Sequence, residues 1–295
     1  MATVDVVIVS YRSAATLRGC AEPLCTLPGV HVTVVDNASP DATPEAVAGL
    51  PLELVRSPHN GGFSYGCNLG AKRGEAPLVL FLNPDARIGP ADLEALSRAL
   101  AEHPSAALVG PRIREPDGEL AWSQRRFPRQ RSTFAQALFL HRVRPRAGWT
   151  DELIRDPAAY ERPGAPDWVS GACMLVRRAT FESVGGFDED FFLYCEDTDL
   201  CRRLRDAGHE VRFEPAAEAV HVGGASSDAG ATQAIAARSR VRYARKHMRP
   251  AAARLQAAGV ALGEITHALA ALPRPASRRG HIAALRAVVG RAPAV

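Results

Sequence analysis

The chain has 295 residues, of which 46% are hydrophobic and 23% charged, with a formal net charge of +4 at neutral pH. That balance excludes a disordered chain and leaves room for one full core with an appendage. The six cysteines, Cys20, Cys25, Cys67, Cys173, Cys195 and Cys201, form no CxxC pair and no zinc spacing, and read as reduced thiols. Residues 4–9 form a β-branched run bounded by Ser10-Tyr11, which predicts a buried strand. A helix capped by Ser13 follows, then a second strand over 30–35 ending at Asp36-Asn37. A short helix over 44–49, a strand over 52–56, a helix over 64–73 and a strand over 78–82 continue the alternation. Strands alternating with helices imply a mostly parallel sheet, with ligands beyond the carboxyl ends of its strands. The loops there hold Ser10-Tyr11, Asp36-Asn37 and Asn83-Pro84-Asp85, which together make one candidate site.

Beyond this, the pattern predicts a helix over 90–103 and a strand over 107–109. Residues 111–166 are rich in Arg, Pro and Gly and read as an insert or lid. A strand over 168–177, with Gly171 permitting close backbone approach, leads to a helix over 178–184. A helix over 197–207 is C-capped by Gly208, and a strand over 210–213 follows. From residue 238 onward the chain is Ala/Arg-rich and helical, with breaks at Pro250 and Pro273–Pro275. That segment carries 12 Lys/Arg and one acidic residue, Glu264, a charge of +11, against −7 for residues 1–237. A basic tail on an acidic body suggests an anionic partner, with nucleic acid, anionic lipid and lipid pyrophosphate all satisfying the electrostatics, or a solvated helix. A nucleic-acid binder would interleave the basic residues with stacking aromatics, and the tail has only Tyr243, so no nucleic-acid partner is expected. The start, Met1-Ala2-Thr3-Val4-Asp5, lacks a signal-peptide pattern, and the apolar stretch at 251–272 is interrupted by Arg254, Glu264 and His267. The expectation is a cytoplasmic protein, peripheral on the inner face of the plasma membrane if it meets a membrane at all.

Four positions carry candidate chemistry. Asp85 ends a strand, where a carboxylate is either a turn residue or a ligand for a hard divalent ion. Asp36 either accepts from a nucleobase or ribose or caps the next turn. Glu196, Asp197 and Asp199 put three carboxylates within four residues behind the aromatic run 187–194. Repulsion and partial burial there would raise one pKa, as a general base requires, and Asp197 is the favoured residue, with Asp199 an N-terminal cap. His221, at a strand end before Gly223-Gly224, is either structural or a phosphate or metal contact.

The ordered set of segments resembles the family 2 glycosyltransferases of the GT-A fold. It comprises Val7-Ile8-Val9-Ser10-Tyr11, Val34-Val35-Asp36-Asn37-Ala38-Ser39, Asn60-Gly61-Gly62-Phe63 through Asn68, and Phe81-Leu82-Asn83-Pro84-Asp85. Val169-Ser170-Gly171-Ala172-Cys173 and Gly185-Gly186-Phe187-Asp188-Glu189 through Glu196-Asp197 complete it. Within that family the chain looks most like the rhamnosyltransferase branch. The resemblance implies a Rossmann-like α/β fold, a mixed, mostly parallel sheet flanked by helices. The glycosyltransferase domain would cover 1–237, its nucleotide-sugar half about 1–110 and its acceptor half about 111–237, before a basic helical extension over 238–295.

The implied activity is inverting transfer of a sugar, with rhamnose from dTDP-rhamnose favoured, to a hydroxyl of a lipid-linked or polysaccharide acceptor. Alternatives are a UDP-sugar donor with a small-molecule or protein acceptor, and a nucleotidyltransferase. By the resemblance Asp197 would be the base and Glu196 a sugar or acceptor contact, with Trp168 and Gly171 also on the acceptor side. Ser10, Tyr11, Asp36, Asn37, Asn60, Gly62, Phe63, Asn68, Asn83 and Asp85 would hold the donor. Asp85 and His221 would hold Mg²⁺ or Mn²⁺, with Asn83 in place of the first carboxylate of an Asp-x-Asp motif.

Overall fold

The computed structural model describes residues 3–223 and 229–290; residues 224–227 of the resembling stretch and 291–295 of the tail lie outside them. The chain divides into two compact units. The first comprises residues 3–125, 156–190 and 196–223 and contains the sheet.

In the sheet unit the elements run β1 (Val4–Ser10), α1 (Leu17–Cys25), β2 (Val30–Asp36), a 3-10 turn at Glu45–Val47 and β3 (Glu53–Arg56). They continue with α2 (Gly62–Ala71), β4 (Leu78–Leu82), β5 (Ala86–Ile88), α3 (Pro90–Glu102), β6 (Ala106–Arg114), β7 (Leu120–Ala121) and β8 (Gln124–Arg125). After two helices of the second unit, α4 (Gln130–Ala137) and α5 (Leu140–Val143), come β9 (Trp168–Val169), β10 (Cys173–Arg177), α6 (Arg178–Ser183), α7 (Glu196–Asp206) and β11 (Glu210–His221). The main sheet has the order β3-β2-β1-β4-β10-β6-β11-β5, with β7 paired to β6, while β8 and β9 form a separate ribbon.

Every residue of β1 and β4 is buried, as expected of parallel strands covered on both faces by helices. The one charge within β1, Asp5, survives because the Ala76 N–H and Arg178 Nη2 donate to its carboxylate at 2.8 and 2.6 Å. Three register relations position the site. Parallel pairing sets Ser10 beside Asp36 and Ile8 beside Leu82, so β1, β2 and β4 end on one edge. The antiparallel β10 starts at that edge, with Cys173 opposite Leu82. β11 ends there too, and its antiparallel pairing with β5 puts His221 opposite Ala86.

Several expected elements change extent. The first helix begins at Leu17 rather than near Ser13, whose carbonyl accepts from the amides of Thr16 and Leu17 in a preceding turn. The expected helix over 44–49 is only the 3-10 turn. The strands begun at 106 and 210 run on to Arg114 and His221, because they pair with each other along most of that length. The apolar run 168–177 is two strands in two different sheets, broken at 170–172. β5 was not expected at all.

The helical unit comprises residues 126–155, 191–195 and 229–290. Its long helices are α8 (Ala229–His247), α9 (Pro250–Ala270) and α10 (Pro275–Val289). The prolines stand at the helix starts, where a missing N–H is no loss, so they break the tail into three helices without kinking any. Small residues, Ala237, Val241, Val260 and Ala284, form the core between them. α4 packs on α9, where a Cβ on Gly259 would come within 3.0 Å of Thr133.

Candidate functional site

The carboxyl edge of β1 and β2 is closed by polar side chains that mainly hold one another. Asn37 is buried and donates from Nδ2 to Asn60 Oδ1 and to the Gly62 carbonyl, both at 2.9 Å, while its Oδ1 accepts from the Gly61 N–H at 3.1 Å. Asn60 Oδ1 accepts in turn from the Gly62 N–H. Asn37 and Asn60 therefore pin the loop that opens α2, with Gly62 in the left-handed region at φ +87°. Ser10 Oγ donates to the Val35 carbonyl, and Asp36, also buried, accepts from the Ser39 N–H. Tyr11 is half-buried, with the Arg12 guanidinium 5.4 Å from its ring.

Asn68, on α2, reaches a different segment. Its amide donates to the Phe187 carbonyl and to Glu189 Oε1, and its Oδ1 accepts from the Phe187 N–H, all at 2.9 Å. The loop after Gly186 (φ +70°) is thus fastened to α2, and Phe63 meets Phe187 edge to face at 6.0 Å.

At the end of β4, Asn83, Asp85 and His221 converge. His221 Nε2 lies 3.2 Å from Asp85 Oδ1 and 3.2 Å from Asn83 Nδ2. Backbone pairing fixes the trio, since the Val222 N–H donates to the Asp85 carbonyl at 3.1 Å. The spacing of the Asp85 and His221 donor atoms matches the roughly 3 Å between adjacent ligands of a six-coordinate divalent ion. Among the described residues no cluster of three His, Cys, Asp or Glu side chains is gathered for a metal.

Gly171 and Ala172 connect this group to the acidic pair. The Asn83 N–H donates to the Ala172 carbonyl at 3.0 Å, and the Gly171 N–H donates to Asp197 Oδ2 at 2.9 Å. A Cβ on Gly171 would lie 3.3 Å from both the Asp197 Cβ and Oδ2, so a larger residue there would require Asp197 to give way by a few tenths of an ångström. Asp197 Oδ1 accepts from the Thr198 N–H at 2.7 Å and from its hydroxyl at 3.2 Å. Glu196 is 6% exposed, and its Oε2 is buried with no hydrogen-bond partner.

These environments push the two carboxyls apart. Burial, then the neighbouring Asp197 charge, drives Glu196 well above the usual carboxylate range. Burial also raises Asp197, but the Gly171 N–H, the Arg125 guanidinium and Thr198 oppose it. Both carboxyls are thus raised, Glu196 the further, and most of the opposing contacts fall on Asp197. Asp199 is fully buried in an ion pair with Arg203 at 2.7 Å, a structural role.

Arg125 was not singled out from the sequence. The β8–β9 ribbon sets it opposite Trp168, its guanidinium 4.9 Å from the indole centre, and its Nε is buried without a hydrogen-bond partner. Nor does the sequence signal four of the five left-handed non-glycine positions among the described residues, Arg12, Ala38, Tyr194 and Cys195, the fifth being Phe139 of the helical unit, each costing roughly 1–2 kcal/mol. The first two follow Ser10-Tyr11 and Asp36-Asn37, and the last two immediately precede Glu196-Asp197. Strain of this kind gathers at sites that must hold an exact aim. Burial pushes the thiols of Cys20, Cys67 and Cys173 up and that of Cys201 to about 12.

Known proteins resemble this chain in sequence and fold. The family described as "Glycosyl transferase family 2" matches residues 5–184, and the "N-terminal domain of galactosyltransferase" matches residues 159–222. The N-acetylglucosaminyl-diphospho-decaprenol L-rhamnosyltransferase of Mycobacterium tuberculosis is 35% identical over 232 residues, 73% of this chain and 75% of that one. Rhamnosyltransferase WbbL of Escherichia coli K12 is 51% identical over 55 residues, 19% of this chain and 21% of its own. Among solved structures, a Pyrobaculum calidifontis mannosyltransferase in complex with GDP-Man and Mn²⁺ superposes with a TM-score of 0.60. It shares 17% identity, covering 99% of this chain and 88% of that one, a likeness of fold.

Proposed function

The chain belongs to glycosyl transferase family 2, and from that premise we propose that it transfers rhamnose from dTDP-rhamnose, with inversion, to a lipid-linked sugar acceptor. It is a glycosyltransferase, which removes the nucleotidyltransferase alternative. The rhamnosyl donor and the polyprenyl-diphosphate acceptor are carried over from the mycobacterial relative, whose name states a decaprenyl-diphosphate-linked substrate.

The observation that carries the mechanism is the Asp197 carboxylate accepting from the Gly171 and Thr198 N–H groups beside the buried Glu196. Asp197 takes the acceptor hydroxyl proton as the new C–O bond forms on one face of the anomeric carbon. The bond to the diphosphate oxygen breaks on the opposite face, and the electron pair leaves with the diphosphate. Glu196, as a neutral carboxyl, donates a hydrogen bond to a sugar hydroxyl. Asp85 and His221 would hold Mg²⁺ or Mn²⁺, the ion in the mannosyltransferase complex being Mn²⁺, and the donor's own phosphate oxygens would complete its coordination. Such an ion supplies Lewis-acid stabilisation of charge on the departing diphosphate. Ser10, Asp36 and the loop pinned by Asn37 and Asn60 would receive the nucleoside.

Asp197→Asn tests the assignment. Removing a general base lowers turnover by about 10²–10⁴-fold, while calorimetric binding of dTDP-rhamnose in the presence of Mn²⁺ is retained. Turnover at the wild-type level in that variant would falsify the role of Asp197. A thermal-shift screen of dTDP- and UDP-sugars, with and without metal, decides the donor.

A further inference from the structure

We propose that the helical unit carries a surface for docking on an anionic lipid bilayer, built from residues 138–149 and 265–279. The proposal rests on the reading of the acceptor as lipid-linked, and locates where that lipid's membrane would be met.

Two segments more than a hundred residues apart form this surface. Thr266 Oγ1 donates to the Ala137 carbonyl at 2.6 Å, and the Phe139 ring lies 4.4 Å from the ring of His267. The residues flanking these contacts are large, apolar and exposed. Leu138 is 53% exposed, Val143 77%, Leu269 60% and Leu272 57%, and Trp149 is nearly half exposed. Ile265 and Leu269 are four apart and share one face at the end of α9, and Leu272 lies in the turn that follows. A soluble surface carries such residues singly, and their gathering at one place marks an interaction site.

Charge names the occupant. Arg142, Arg144, Arg146, Arg274 and Arg279 are exposed on the same two segments, with Arg278 half-buried. Neither 138–150 nor 265–290 contains a single Asp or Glu. Apolar side chains ringed by arginines, with an indole among them, suit the boundary between headgroups and acyl chains of an anionic leaflet. A second copy of the chain fits poorly, because an isologous contact would set arginines against arginines. Among the described residues no helix is long and apolar enough to cross a membrane, so contact here is from the surface. The sequence pointed to the whole tail after residue 238, whereas the structure narrows the surface to one end of it. It also adds the arginines of 142–146.

The test uses the full chain with two kinds of vesicle, phosphatidylcholine alone and phosphatidylcholine containing phosphatidylglycerol. Sedimentation should show binding to the anionic vesicles only, weakening as salt is raised. Each of the pairs Leu269→Ser with Leu272→Ser, and Arg144→Glu with Arg146→Glu, should weaken that binding about 10-fold or more. All four positions are exposed, so melting temperature should hold. Transfer to a water-soluble short-chain acceptor should be unchanged in both variants, whereas transfer to an acceptor embedded in anionic vesicles should fall with binding. No preference for anionic vesicles, or variants that bind like wild type, would overturn the surface. So would variants that change oligomeric state by light scattering while binding vesicles normally, which would make this a self-association face. Failure of the wild-type chain to use any soluble glycosyl acceptor, with vesicle binding intact, would count against the proposed function instead.

Discussion

The two sides of the site are built by different means. The proposed donor side is made where parallel strands stop: β1 and β2 deliver Ser10 and Asp36 in register, and Asn37 closes the loop to Gly62 through hydrogen bonds. The proposed acceptor side is assembled outside that parallel register. Asp197 takes its orientation from Gly171 at a break between two strands, and Arg125 arrives on a separate ribbon against Trp168. Fold stability and site geometry coincide on the first side and are separable on the second. Substitutions on the donor side should therefore unfold or empty the pocket, while those on the acceptor side should change rate and pH dependence in a protein that stays folded.

The largest expected effect is at Asn37. Asn37→Ala leaves the Gly61 N–H and the Gly62 carbonyl without their buried partner, at a cost of about 2–4 kcal/mol, on the order of 1–3 per group. Denaturant unfolding should show that loss, with donor affinity falling alongside it. Full stability with weakened donor binding would mean that the two functions of this side are separable after all.

Next is Gly171→Ala. The new methyl would press on Asp197 at 3.3 Å and displace its carboxylate. A loss of kcat of about 10-fold, or about 1.4 kcal/mol on the barrier, is expected with unchanged donor affinity and melting temperature. A variant that loses stability instead would show that the Gly171–Asp197 contact serves the fold.

The same contrast explains what the residues alone disclosed. β-branched runs at 4–9 and 30–35 and the polar residues that end them are local patterns, and the strands and the edge where they end were legible from them. Gly171 was seen as a point of close approach, but its partner lies 26 positions away and the apolar residues around it read as one strand. β5 is three residues long and exists because β11 pairs with it. Arg125 stood among the seven arginines of residues 125–146, a stretch without periodicity, and the pairing of β8 with β9 sets it apart. The left-handed residues Arg12, Ala38, Tyr194 and Cys195 are not turn formers, so nothing in their chemistry announces their conformation.

The smallest effect is also the most discriminating, because it tests how the carboxyl pair divides its proton. Arg125 lowers the pKa of Asp197, so Arg125→Gln should move the acid limb of the kcat profile to higher pH. The direction follows because a base raised toward neutrality is lost earlier as the solution is acidified. Glu196→Gln should leave that limb in place, since Asp197 ionises while Glu196 still carries its proton. Its signature lies in stability. A buried carboxyl whose folded pKa is raised destabilises the wild-type fold increasingly as pH climbs from the ordinary carboxylate range toward that raised value. The melting temperature of Glu196→Gln relative to wild type should accordingly be highest at alkaline pH and decline on acidification. If instead the acid limb moves in Glu196→Gln and stays in Arg125→Gln, the proton sits on Asp197, and the acid and base of this pair exchange places.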